Sequence, residues 1–138
     1  MKKRAFIVSA IASAALCSAG LAMAQDKFKI GLILPMTGPF ASTGKQIEAA
    51  ARLYIAQNGD TVGGKKVELI VKDDTSAPDV TKRLAQEMVV NDKVQVLAGF
   101  GLTPLALSTA PIATQSKTPM VVMAAATSSI TQASPYIV

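Results

Sequence analysis

The sequence predicts an α/β fold: a doubly wound, mostly parallel sheet with helices on both faces. Three observations predict it. Short, almost wholly apolar runs of strand length recur along the chain. They alternate with segments whose apolar residues return at helical spacing, and the connections between the two are short and rich in Gly, Pro and Asn.

The elements follow in order. Residues 30–34 form an apolar run ending at Pro35, as expected of a strand covered on both faces. After the Thr37-Gly38-Pro39 turn, Ile47, Ala51, Tyr54 and Ile55 mark the buried stripe of a helix closed by Asn58-Gly59. Gly63-Gly64 is a turn, and Val67, Leu69 and Val71 alternate with Glu68 and Lys72 in the manner of a strand nearer the sheet edge. Ser76 and Asp79 have the spacing of a capping box, Pro78 falls in the first turn, and Val80, Leu84, Met88 and Val89 line a second helix. Residues 94–98 are the third strand. Residues 105–115 are the third helix, which Pro111 is expected to kink or split by removing a hydrogen bond. Residues 120–123 are the fourth strand, and Tyr136-Ile137-Val138 reads as a fifth just beginning. The chain stops in an apolar run without cap or turn, so residues 25–138 are expected to be the amino-terminal part of a larger lobe, leaving a sheet edge in want of a partner.

Residues 1–24 read as a signal peptide. Lys2, Lys3 and Arg4 form a basic start, residues 5–21 are apolar and small, and Ala22-Met23-Ala24 fits a small-x-small cleavage site. Cys17 follows Leu16, where lipid attachment demands a small residue, so lipidation is not expected. Cleavage removes 3 of the 14 basic residues and leaves 11 against 9 acidic ones. A nearly neutral mature chain has no electrostatic reason to bind nucleic acid or a membrane surface. It also lacks cysteine and histidine, which excludes disulfides, thiol catalysis and imidazole chemistry. Export without cysteine fits a periplasmic protein that relies on its core rather than on cross-links.

In open α/β sheets, ligands sit beyond the carboxyl ends of the strands, where helix N-termini present unpaired N–H groups. Those ends are residues 35–45, 73–76, 99–104 and 124–131. In the last of them Ala124-Ala125-Ala126 exposes backbone, and Thr127, Ser128 and Ser129 supply hydroxyls suited either to a carboxylate or to capping the next helix. Gly99-Phe100-Gly101-Leu102-Thr103 permits close backbone approach, with Thr103 able to cap the third helix and to donate to an anion. A dinucleotide fingerprint fails, because Pro104 stands at the third glycine and no acidic residue follows about 20 positions on. Asp73-Asp74 without histidine or further ligands reads as a turn rather than a metal site. No nucleophile with a base and an orienting group can be assembled, so no catalytic residue, metal or cofactor is assigned.

Several stretches together resemble the branched-chain amino acid-binding proteins, the type I periplasmic binding proteins of ABC importers. They are Lys29-Ile30-Gly31-Leu32 leading into Thr37-Gly38-Pro39-Phe40-Ala41-Ser42-Thr43-Gly44, Val67-Glu68-Leu69 with Asp73-Asp74, the Gly99 to Thr103 turn and the Ala124 to Thr127 loop. The resemblance implies a protein without catalysis, monomeric at full length, that closes two lobes on a small carboxylate and delivers it to a membrane permease. The same fold also serves sensors that report a ligand to a receptor or kinase. By the family pattern Thr103 binds the ligand carboxylate through its hydroxyl, Ala125 offers a backbone carbonyl to an ammonium, and Thr127 is a second carboxylate donor. Amino-acid-binding members often carry an aromatic residue where this chain has Thr43, and serines where it has Thr103-Pro104-Leu105. A small residue at 43 with Phe100 nearby suits a bulkier or aromatic acid.

Overall fold

A computed structural model describes residues 27–138, so the signal peptide read at 1–24 lies outside the described residues. The elements, in chain order, are β1 (Lys27–Leu34), α1 (Ala41–Asn58), β2 (Thr61–Val62), β3 (Lys65–Asp73), α2 (Pro78–Glu87), β4 (Val96–Gly99), α3 (Thr103–Ser116), β5 (Met120–Val122) and α4 (Ser129–Gln132). A π-helical turn at Met88–Asp92 extends α2.

The five strands run β2-β3-β1-β4-β5, with β2 antiparallel to β3 and every other pair parallel. β1 is central. It pairs with β3 along its whole length, from Lys27 opposite Lys66 to Leu34 opposite Asp73, and with β4 through Ile30 to Ile33. The apolar run read in the sequence is therefore the strand flanked on both sides, and Leu32, Ile33 and Leu34 are all buried. Past β5, Ile137 forms a parallel bridge with Met120, and Val138 accepts from the Val122 amide at 2.9 Å. The short fifth strand expected at 136–138 is thus already pairing.

Side chains alternate across β1, and this divides the core in two. Ile33 faces the larger cluster with Leu84, Ala85 and Met88 of α2 and its extension, Leu97, Phe100, Ala106, Ala110 and Met120. Leu32 and Leu34 face a smaller cluster with Ala98, against which Ile30, Met36, Ile47 and Val71 pack. α2 and α3 therefore cover one face and α1 the other, the arrangement of a doubly wound sheet.

The structure corrects three local expectations. Tyr54 is not in a buried stripe: it is 66 % exposed, and Gly44 is the buried residue of α1. The C-terminal half of the helix overhangs the β2–β3 hairpin and leaves an apolar hollow of about 280 Å³ lined by Ile30, Tyr54, Ile55, Val62, Val67 and Leu69. Ser76 does not cap α2. Thr75 and Ser76 are both left-handed (φ 51° and 61°), Ala77 is the N-cap residue without a side-chain bond, and the turn is held by Asp74 Oδ1 accepting from the Ser76 amide at 2.8 Å. Pro111 does not split α3, which runs unbroken through it on an exposed side of the helix. Pro78 does occupy the first turn of α2, and Leu84 and Met88 are buried as the periodicity predicts.

Candidate functional site

The chain leaves β1 toward α1 on one face, and leaves neighbouring β4 toward α3 on the other. Divergence of adjacent connections makes the carboxyl ends of these strands the topological switch point of the sheet, where folds of this kind bind ligands in a crevice. One wall is the 35–43 segment and the first turn of α1. The other is the 100–103 turn, the start of α3 and, beside it, the loop after β5.

Glycines permit close packing within the first wall, at the end of the strands, and between the two walls in turn. A side chain at Gly44 would collide with the Pro35 carbonyl, and one at Gly99, where φ is 113°, with the Ile33 carbonyl. A Cβ at Gly101 would stand 2.8 Å from Pro35 Cγ. The Phe100 amide donates to the Ile33 carbonyl at 2.9 Å, which draws the β4 turn onto the end of β1.

Thr103 is the first residue of α3, with Leu102 at the N-cap and no side-chain bond closing the helix. The cap expected of Thr103 is therefore absent: it lies inside the first turn, where its side chain does not reach back to the helix amides. It is half-buried, and its hydroxyl has no partner among the described residues. An uncapped helix N-terminus with a free hydroxyl suits an anion, because unpaired N–H groups and the helix dipole act together there.

Ala125 and Thr127 lie on the adjoining loop. The Met123 amide donates to the Gly99 carbonyl at 2.8 Å and the Ala125 amide to the Phe100 carbonyl at 3.1 Å, so the loops after β4 and β5 are laced side by side. Thr127 is half-buried, with its Oγ1 3.2 Å from Ser129 Oγ, and its carbonyl accepts from the Ile130 amide at 3.2 Å to start α4. Thr43 sits half-buried in the first turn of α1, across the crevice. Phe100 is different. Its φ of 63° turns the ring into the main core, where it is fully buried, and only its backbone reaches the rim. The ring is not the wall of a pocket.

Two residues of the rim were not picked out as site residues from the sequence. Phe40, 44 % exposed, precedes α1 at the N-cap position and offers an aromatic surface on the wall that carries Thr43. Asp73 closes β3 beside Leu34 and accepts from the Met36 amide at 2.9 Å, the Thr37 hydroxyl at 2.6 Å and the Thr75 amide at 2.8 Å. Burial alone would raise its carboxyl. The Thr37 hydroxyl and the Thr75 and Met36 amides outweigh that and hold it below the usual carboxylate range. The Phe40 signal was an aromatic side chain among small turn residues, whereas the Asp73 bonds to Met36 and Thr37 span 37 and 36 positions and leave no local trace.

A family model described as periplasmic binding protein matches residues 27–138, the whole of the described chain. The chain belongs to the periplasmic binding protein family. A Leu/Ile/Val-binding protein homolog of Brucella abortus (strain 2308) is 48% identical over 139 residues, which is 100% of this chain and 35% of the relative. Among solved structures, a solute-binding protein of an ABC transporter from Rhodopseudomonas palustris BisB5, in complex with 3,4-dihydroxybenzoic acid, is 67% identical with a TM-score of 0.81. It covers 82% of this chain and is matched over 31% of its own length. A second such protein, from strain HaA2 in complex with p-hydroxybenzoic acid, is 47% identical with a TM-score of 0.79, over 82% of this chain and 31% of the other. The chain spans about a third of the length of these periplasmic binding proteins. The type I α/β architecture is common to them.

Proposed function

We propose that the chain is the amino-terminal part of the first lobe of a periplasmic solute-binding protein, which presents a small aromatic carboxylate to the permease of an ABC importer without transforming it. In this reading Thr103 and Thr127 donate hydroxyls to the ligand carboxylate, and the first-turn amides of α3 add the helix dipole. The Ala125 backbone faces a second polar group of the ligand, and Thr43 leaves room for a ring on the opposite wall. Phe40, exposed on that wall, offers an apolar face, and the Phe100 backbone ties the two donor loops.

The observation that carries the reading is the unpartnered Thr103 hydroxyl at the uncapped start of α3, on the crevice between diverging connections. The aromatic preference is supported by the 67% identical protein, whose structure holds 3,4-dihydroxybenzoic acid. The remaining contacts come from the rest of a protein of the relatives' length, and closure of two lobes is the state the permease reads.

A thermal-shift screen of the full-length protein tests this, with 3,4-dihydroxybenzoate, 4-hydroxybenzoate, leucine and isoleucine as ligands. A ligand bound only to the native state raises Tm as its concentration exceeds Kd. Stabilisation by the hydroxybenzoates above that by the amino acids is expected. Stabilisation by leucine or isoleucine alone would overturn the aromatic preference, and turnover of a bound acid would overturn the non-catalytic reading.

A further inference from the structure

The Asp73-Asp74 pair reads in sequence as a turn, and Asp73 does more than turn the chain. It is the last residue of β3 and stands in register with Leu34, where β1 ends and the first wall of the crevice begins. Both of its oxygens are engaged across that gap, Oδ1 by the Met36 amide and Oδ2 by the Thr37 hydroxyl, while Oδ1 also accepts from Thr75 in its own turn. Between Thr37 and α1 the backbone bonds are local, such as Ala41 to the Gly38 carbonyl at 3.2 Å. Asp73 thus supplies the side-chain bonds that tie the start of the 36–40 stretch to another element.

We propose that Asp73 is a positioning residue of the ligand site: by holding Met36 and Thr37 it sets the wall bearing Phe40 and Thr43 at its working distance from Thr103. The inference rests on the carboxylate-binding reading above. Asp73 is itself anionic and both of its oxygens already accept from protein donors, so toward an anionic carboxylate it acts through the loop. A wall that is pinned before the ligand arrives loses little freedom on binding, and a loosened wall must be ordered at the ligand's expense. Loss of the pin therefore appears in affinity, beyond any change in stability.

The test uses the full-length protein with 3,4-dihydroxybenzoate as the probe, measuring Kd by calorimetry well below Tm, and Tm separately. Asp73→Ala is expected to raise Kd about tenfold. Asp73→Asn keeps one acceptor oxygen and should fall between it and wild type. Thr37→Val removes one bond at an exposed side chain, so it keeps the idea testable if Asp73→Ala fails to fold. Combined with Asp73→Asn, it should add less than its separate effect. Asp60→Ala is the control, because its ion pair with Lys66 at 3.1 Å lies at the opposite end of the sheet from the rim. The inference is overturned if Asp73→Asn and Thr37→Val bind as wild type does, or if Asp60→Ala weakens binding equally for the same fall in Tm. Wild-type protein that binds neither hydroxybenzoates nor amino acids would overturn the carboxylate-binding reading, and this inference with it. Wild-type binding that ignores Asp73 overturns this inference alone.

Discussion

The Ala125 amide donates to the Phe100 carbonyl at 3.1 Å, two positions from Thr127 on one side and three from Thr103 on the other. With the Met123 to Gly99 bond at 2.8 Å, it extends the parallel ladder of β4 and β5 past the strand ends and into the loops. The hydroxyls proposed to meet one carboxylate are therefore carried on a single laced unit. Such preorganisation lets a neutral site hold an anion, because its dipoles need no rearrangement on binding.

In the full-length protein, Thr103→Ala and Thr127→Ala are each expected to weaken carboxylate binding by about 1.5–3 kcal/mol, the range for a hydrogen bond to a charged group. Isothermal titration gives the answer directly. Thr103→Ser should retain most of the affinity, since the hydroxyl is kept and only a methyl group is lost. Unchanged affinity in both alanine variants would remove the two residues from the site.

The layout of the sheet was legible because burial on both faces writes itself as apolar runs, as at Leu32, Ile33 and Leu34, and because α2 repeats its buried residues at helical spacing. What escaped depended on backbone torsion or on distant partners. Ser76-x-x-Asp79 has the letters of a capping box, but two left-handed residues shift the cap to Ala77. Phe100 looked like a rim residue beside glycines, and its positive φ sends the ring inward. Tyr54 has the spacing of a core residue, yet it lines an open apolar hollow with Ile30, Val62, Val67 and Leu69 and stays 66 % exposed. Thr103 and Thr127, by contrast, are named together by the family resemblance, although they stand 24 positions apart; the β4–β5 pairing is what sets their loops side by side.

Gly99 couples strand geometry to the rim, and its replacement should be costly. Its φ is 113°, and an added Cβ would strike the Ile33 carbonyl, a backbone atom of the central strand that cannot move aside alone. Gly99→Ala is expected to lose at least about 1–3 kcal/mol from the backbone conformation, with the collision adding to it. Urea unfolding measures the loss. Gly63→Ala, at φ 58° in the open β2–β3 turn with nothing within 4 Å, serves as the comparison and should cost less.

The central strand meets α2 through Gly31 and Met88. A Cβ at Gly31 would lie 2.8 Å from Met88 Sδ and 3.3 Å from side-chain atoms of both Leu97 and Val94. Met88→Ala alone should cost about 2–5 kcal/mol, because the side chain is fully buried and leaves a cavity. Gly31→Ala alone should destabilise by crowding. Combined, the two should cost less than their sum, with a coupling of about 0.5–3 kcal/mol, since the shorter side chain vacates the space the new methyl needs. Strict additivity in denaturant melts would count against this contact.

Adjacent carboxyls should give opposite answers to pH. Asp74 is fully buried, and its Oδ2 has no hydrogen-bond partner among the described residues. Burial pushes its carboxyl above the ordinary value, the Ser76 amide pulls against that, and the charge of Asp73 adds to the rise. A group whose folded value is raised favours the fold fully below its unfolded value and loses that contribution as pH climbs through the folded one. At neutral pH, well above the unfolded value, burying this carboxyl is therefore a cost. Asp74→Asn keeps the oxygen that accepts from Ser76 and removes the charge, so it should raise stability at pH 7, with the gain fading as pH falls into the ordinary carboxylate range. Asp73 is depressed instead, so its contribution is present above its unfolded value and is lost as pH falls through the folded one. Asp73→Asn should accordingly lower Tm at pH 7, with the deficit shrinking in acid. Melting curves of both variants from neutral to acid pH decide it. If Asp74→Asn destabilised the protein equally at every pH, Asp74 would be a turn residue whose charge plays no part.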